Sequence, residues 1–422
     1  MSSRSHIAAW LLFIATAAIY LAFPTRVYYW DGIVFAQMIE QASRLSPSLV
    51  HPNHLIYNFA GYLFYKLLRA LGADIRALIA LQILNSLLSA LCARVLFSIL
   101  MATLRSFYFS ICLTVIFAFS ATWWKFSTDA DAYIPSVLFL LVSFYLVLPG
   151  RKPRPFLTAI TFFMAMAFHQ LAVLMFPVLA LGVYLQDGPP TLKRQALNTV
   201  YFSVTAAALI IIAYAWLFYL ASGSFDLARL MKWTASYSPD ADTHFNLWSN
   251  LRYSLRGQVR LFFGGRFNLL TGLWNPAIVV LLLCLVGAIL VFVYNLFKIT
   301  RPTKLRLETR QKTVLLLSLM WAGIYLVFLF FWLPQNTFYR LFYLPALMLL
   351  LGLAFSSVKD TRDETRALAA FAIAMTLANF IFLIYPSSHP QPSLRTVRKH
   401  QTADSYVAET SSPRRTVDQE PH

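Results

Sequence analysis

Residues 7–36 read IAAWLLFIATAAIYLAFPTRVYYWDGIVFA, an uncharged run followed by aromatics and a carboxylate. The run 7–23 has the composition of a bilayer-spanning helix, which needs about 20 predominantly apolar residues to cross the hydrocarbon core. It follows MSSRSH and has no small-residue cleavage site behind it, so it is expected to stay as a signal anchor. Shortly past its end stands Asp31, behind Tyr28, Tyr29 and Trp30.

Similar runs fill the rest of the chain, at 76–100, 107–122, 133–148, 155–169, 171–185, 197–221, 267–297, 313–333, 340–357 and 367–385. The 422 residues are 59% hydrophobic and 12% charged, against about 25% charged in soluble domains. The expected fold is therefore an all-α polytopic membrane protein with about 11 transmembrane helices, since only closed hydrogen-bonded segments cross a bilayer. The net charge of +18 fits the excess of Lys and Arg in cytosolic loops and is not read as a nucleic-acid interface. Cys92, Cys112 and Cys284 lie in apolar runs and read as small core residues rather than disulfides or metal ligands.

Charge then assigns the loops to sides. RKPRP (151–155), the stretch around Lys193 and Arg194, RPTKLRLETRQK (301–312) and KDTRDETR (359–366) are expected in the cytosol. The uncharged stretch between the first two must cross twice or dip in and out, turning near His169 and Gln170. Loops 24–75, 123–132, 222–266 and 334–339 fall on the outer side. Segment 55–71, LIYNFAGYLFYKLLRAL, is expected to lie on the membrane surface, because a crossing there would break the charge pattern. One membrane domain spans 1–385, and the Pro-, Ser- and charge-rich tail 386–422 is expected to be disordered.

The outer loops carry the unusual polar residues. The first holds Trp30, Asp31, and His51 and His54 in HPNH; the second, WWKFSTDADAY, holds Lys125, Asp129, Asp131 and Tyr133. In LRYSLRGQVRLFFGGR, Arg252, Arg256 and Arg260 share a helix face, with Arg266 beyond; Tyr339 and Arg340 open a late apolar run. Each has a plain reading. Asp31 suits a helix N-cap, Asp129 and Asp131 suit solvated positions, and His169 suits a hydrogen-bonded core site. The Arg face suits lipid headgroups, and Arg340 suits a snorkelling anchor. Together, carboxylates fit general-base work or metal binding, and guanidinium groups fit phosphate.

In order and content these motifs resemble the GT-C superfamily of polyprenyl-phosphate-sugar-dependent glycosyltransferases, which includes protein O-mannosyltransferases and lipid A aminoarabinose transferases. The resemblance rests on YYWDGIVFAQMI, on HPNHLIYNFAGYLFYKLLRALG (51–72), on STDADAYIPSVLFLL (127–141) and on YRLFYLPAL (339–347). It covers residues 1–185 and the region around Arg340. The sequence departs from the family at Gly32, where many members have a second acid, and at Asn53, where a second proline is usual. The resemblance implies Asp31 as general base on an acceptor hydroxyl. It implies Arg340, with Arg260 or Arg266, on the donor phosphate, and Asp129 or Asp131 orienting the acceptor. Trp30, Lys125, Tyr133, His169 and Tyr339 would complete the pocket.

The implied partners are a polyprenyl-phosphate sugar, membrane lipids and a glycan, lipid or protein acceptor. No cofactor is firmly implied; Asp129, Asp131, His51 and His54 leave a divalent metal open. With no Asn-x-Ser/Thr sequon, the expected home is a bacterial inner membrane, the site facing the periplasm or exterior. A flippase, or an outer-face glycan ligase or polymerase with His244 as its histidine, is the alternative.

Overall fold

The computed structural model describes residues 3–186, 192–235, 245–265, 276–300, 307–356 and 361–389. Among them every regular element is helical. In chain order come α1 (Ser3–Ala22), α2 (Trp30–Gln41), α3 (Tyr57–Ala70) and α4 (Ala77–Leu104). Next are α5 (Phe107–Phe119), α6 (Ala121–Ser127), α7 (Tyr133–Leu146), α8 (Pro155–Phe168) and α9 (Phe176–Tyr184). Then follow α10 (Leu192–Ser222), α11 (Leu227–Ala235), α12 (Leu247–Phe262) and α13 (Pro276–Thr300). The last are α14 (Thr309–Trp332), α15 (Leu344–Ser356) and α16 (Thr361–Asn379), whose final turns continue to Ser388.

The eleven-crossing expectation needs correction. Among the described residues five helices are long and apolar enough to cross a membrane, and a sixth appears if α5 and α6 count as one span bent by 65°. The reason is where the backbone breaks, not what the segments contain. Ser120 adopts ψ 144 between α5 and α6, and His169 is extended (φ −158, ψ 127) after α8. A helix of 14 residues such as α7 or α8 reaches only about 21 Å at 1.5 Å per residue, short of a core of about 30 Å. Helix α3, also 14 residues, is equally short. Its exposed Leu63, Leu67 and Leu71 face away from the bundle.

Helix α4 is the axis of the bundle, packing against α1, α2, α3, α5 and α7. One continuous apolar core joins it to α5, α7, α8, α14 and α15. The predicted outer loops meet at one end: Thr25 N–H donates to the Thr128 carbonyl, Ile56 N–H to Ala167 and Gln170 N–H to Asn53. The predicted basic loops meet at the other, where the Gln311 side chain donates to the Thr103 carbonyl and Arg105 pairs with Glu308. Chain 386–389 continues the last helix, and Arg26 N–H donates to the Ser387 carbonyl, so the domain extends slightly beyond 385. Residues 390–422 and His244 lie outside the described residues. Cys92 and Cys112 are buried as expected, whereas Cys284 is exposed on α13.

Candidate active site

Irregular backbone survives among apolar helices only if its carbonyls find donors inside the protein. The loop 127–132, between α6 and α7, finds them on α4. Gln82 Nε2 donates to the Thr25 and Thr128 carbonyls, at 2.8 and 2.9 Å. Asn85 Nδ2 donates to the Asp129 and Asp131 carbonyls, at 2.8 and 2.7 Å. Ser86 Oγ donates to Ser127. Spaced three and four apart, these side chains share the helix face turned to the loop. The sequence reading passed over them, although polar residues at such spacing inside an apolar run were the available signal.

The loop holds two carboxylates, both buried rather than solvated. Asp129 is fully engaged: Oδ2 accepts the Tyr29 N–H at 2.9 Å, fixing the approach to α2, and Oδ1 accepts Ala130 N–H. Asp131 is half engaged: Oδ1 accepts Tyr133 N–H at 3.0 Å, while Oδ2 is buried with no hydrogen-bond partner. Burial first, then the charges of Asp31 and Asp129, push its carboxyl well above the usual range, with Lys125 opposing.

Asp31 comes to this loop from α2. It is not the N-cap, because α2 begins one residue earlier at Trp30 with Tyr29 in the cap position. Among the described residues no hydrogen bond or ion pair ties its half-buried carboxylate, and burial raises its pKa. The close approach of α2 to the loop is made at Gly32, where a Cβ would collide with the Ala130 carbonyl oxygen and sit 2.9 Å from the Ala130 Cβ. That contact leaves no room for a side chain at position 32.

The histidines converge beside this pair. His54 stacks on His51 (centroids 5.1 Å) and meets His169 edge-on at 4.7 Å. His54 Nδ1 donates to the Phe168 carbonyl, whereas His169 Nδ1 accepts the Leu171 N–H and so caps the short turn after the break. Burial pulls His51 down to about 4 and His54 to about 3, which keeps both rings neutral near pH 7. Tyr133 lies against His169 and Tyr339, at 4.9 and 5.6 Å. Among the described residues no group of three or more His, Cys, Asp or Glu is arranged to hold a metal ion.

An apolar groove of about 580 Å³ opens from this cluster between the 170–175 turn and α14. Val173, Leu174, Val327, Phe328 and Phe331 form its walls, and His169, Asn53, Gln170 and Tyr339 stand at its polar end. Tyr339, at this polar end, lies within the electrostatic reach of Asp31 and Asp131, which do not themselves line the groove.

The predicted arginines go elsewhere. Arg340 is fully buried, and each guanidinium nitrogen donates inside the protein: Nε to the Asn336 carbonyl, Nη2 to Pro334 and Nη1 to the Tyr343 hydroxyl at 2.8 Å. Gln258 of α12 donates to the same hydroxyl, and Gly257 leaves room for the guanidinium against the helix. Arg340 is thus a buried tie that shapes the 334–343 turn, neither a snorkelling anchor nor a free phosphate grip. Arg252, Arg256 and Arg260 are exposed on α12 beside exposed Trp248, Leu251, Leu255 and Val259. Arg266 lies outside the described residues. Lys125 is half-buried and is the cation that acts on Asp131, and Trp30 is exposed at the start of α2.

The structure therefore joins Asp31, Asp129, Asp131, Lys125, Tyr133, His51, His54, His169 and Tyr339 at one end of the bundle, with Arg340 in the same turn as Tyr339 but bonded to the backbone around it, and Arg260 exposed on α12. No protein-family model matches the chain, and no curated protein matches it.

Proposed function

We propose that the chain is a membrane glycosyltransferase of the GT-C kind, moving a sugar from a polyprenyl-phosphate carrier to a hydroxyl acceptor with inversion. The observation that supports this most is an apolar groove whose polar end, at Tyr339, lies within the electrostatic reach of Asp31, a half-buried carboxylate without a hydrogen bond among the described residues. A lipid-linked donor has the same division, an apolar chain attached to a charged reactive head. In this reading the isoprenoid lies along Val327, Phe328 and Phe331, and the reacting bond lies near Tyr339. Asp31 takes the proton as the acceptor oxygen attacks the anomeric carbon, and the bond from that carbon to the phosphate oxygen breaks, releasing polyprenyl phosphate. A base whose pKa is raised toward working pH is suited to this, and such assistance is typically worth about 10²–10⁴ in rate.

With Arg340 committed to the fold, Lys125 is the better cation for the donor phosphate, and Asp131 and the neutral histidines frame the acceptor. The site would face the periplasm or exterior of a bacterial inner membrane. Mass spectrometry of envelope glycans and lipid-linked sugars, comparing the intact protein, a deletion and Asp31→Asn, tests this. Loss of one sugar with build-up of its monophosphate carrier in both altered strains is the expected result. An unchanged glycan profile with a carrier stranded on one leaflet would point to a flippase instead.

A further inference from the structure

The opposite end of the bundle holds a second site that the Asp31 chemistry does not use. Helix α4 runs from Gln82, under the 127–132 loop, to Leu104, a rise of about 33 Å at 1.5 Å per residue. At its far end lies a cavity of about 320 Å³ between the end of α4, the 148–151 turn and the start of α14. Among the described residues three guanidinium groups line it, those of Arg105, Arg151 and Arg310, together with the carboxylate of Glu308, which pairs with Arg105. An adjoining hollow of about 440 Å³ shares Arg105 and Arg151 and adds His6 and Ser5.

The local backbone supports this concentration of charge. Gly150 has φ +81, which favours glycine at the turn, and the Arg310 guanidinium lies against it. Arg151 is held over the Tyr145 ring at 3.5 Å, and Arg105 ends α4 in the left-handed region at φ 54. Glu308 caps α14 together with Gln311, so it already serves a structural task besides accepting from Arg105 at 3.0 Å. The start of α14 adds the positive end of a helix dipole to the same space. A phosphate-bearing anion placed there would accept charge-assisted, forked hydrogen bonds from these guanidinium groups.

We propose that Arg105, Arg151 and Arg310 form a phosphate-binding pocket at the basic end of the bundle, separate from the Asp31 site and independent of the chemistry there. The ligand is a phosphate-bearing anion, either the headgroup of an anionic phospholipid or a soluble phosphate. The test uses the purified full chain. Thermal unfolding is followed during titration with inorganic phosphate at constant ionic strength, and lipid retention by native mass spectrometry after exchange into phosphatidylglycerol or phosphatidylcholine. Arg151→Gln with Arg310→Gln is compared with Lys152→Gln with Arg154→Gln, which removes equal charge from exposed positions that do not line the cavity.

Binding weakened by about tenfold or more in the first pair alone is the expected result. Selective retention of phosphatidylglycerol identifies the lipid source, and protection by inorganic phosphate identifies a soluble one. No difference from the unaltered protein, or an equal loss in the control pair, overturns the pocket. If the double variant does not fold, Arg310→Lys decides, since it keeps the charge and loses the fork: undiminished binding there rejects the proposal.

Discussion

Asn85→Ala is the sharpest test of how the site is held. Its amide nitrogen is the donor, at 2.8 and 2.7 Å, for two buried carbonyls of the loop that carries Asp131. A buried carbonyl left without a donor costs about 1–3 kcal/mol, while hydrogen bonds inside membrane proteins average nearer 0.6 kcal/mol. The two lost bonds together set an expected destabilisation of roughly 2–4 kcal/mol. The consequence is local as well as global, because the same loop packs against α2 at Gly32 and so sets where Asp31 stands. Ser89→Ala is the matched control: Ser89 lies one turn further along α4, and its hydroxyl is buried without a hydrogen-bond partner. Reversible denaturant unfolding in detergent should show a clear loss for Asn85→Ala and none for Ser89→Ala. If the two variants fell within about 0.5 kcal/mol of each other, the account of α4 as the donor for this loop would be refuted.

Gly32→Ala should push α2 off the Ala130 carbonyl and cost about 1–3 kcal/mol, with a crystallographic or cross-linking measure of the α2–loop distance increasing; an unmoved helix would count against the close approach. Arg340→Ala should destabilise by roughly 3–5 kcal/mol, because two carbonyls lose their donor and the Tyr343 hydroxyl keeps only Gln258, whereas Arg260→Ala should change stability by less than about 0.5 kcal/mol; equal effects in thermal unfolding would contradict the placement of Arg340. Burial lowers His54 to about 3 from 6.5, so the folded state takes up fewer protons than the unfolded chain. Its contribution is intact above pH 6.5 and is lost progressively as pH falls toward about 3, and unfolding free energy should drop between pH 7 and 5 more steeply in the native chain than in His54→Gln. Asp31 has the opposite sign: its raised pKa makes the carboxylate a cost as pH rises through it, so Asp31→Asn should hold or raise the unfolding midpoint at pH 7.5 while transfer fails, and a lower midpoint would show that the carboxylate is structural.

Helicity was legible in the apolar runs, since each run the structure describes forms helix. Length was legible only in part: the turn near His169 is expected from the sequence, but Ser120 breaks a segment as apolar as its unbroken neighbours, and hydropathy carries no record of ψ. That residues from the predicted outer loops gather at one end of the bundle was legible from the charge pattern. The fate of individual side chains was not. Arg340 looks free beside an outer loop, and only the packing of Gly257 against it reveals that its nitrogens face carbonyls. The burial of Asp129 was hidden for a similar reason, since its partner, the Tyr29 N–H, lies a hundred residues away.

The three carboxylates form a graded series that separates frame from chemistry. Asp129 spends both oxygens on backbone N–H groups and so determines the entry of the chain into α2. Asp131 spends one and keeps the other in an apolar surround, a state that costs stability and favours its protonated form. Asp31 spends neither, and it alone of the three keeps partial exposure. An ionisable group held without partners lowers stability without helping the fold, and such groups concentrate where chemistry needs them. Asp129 and Asp131 are accordingly the residues whose loss should move Asp31 rather than replace it. Asp31 is the one whose loss should leave the architecture in place, because no hydrogen bond among the described residues depends on it.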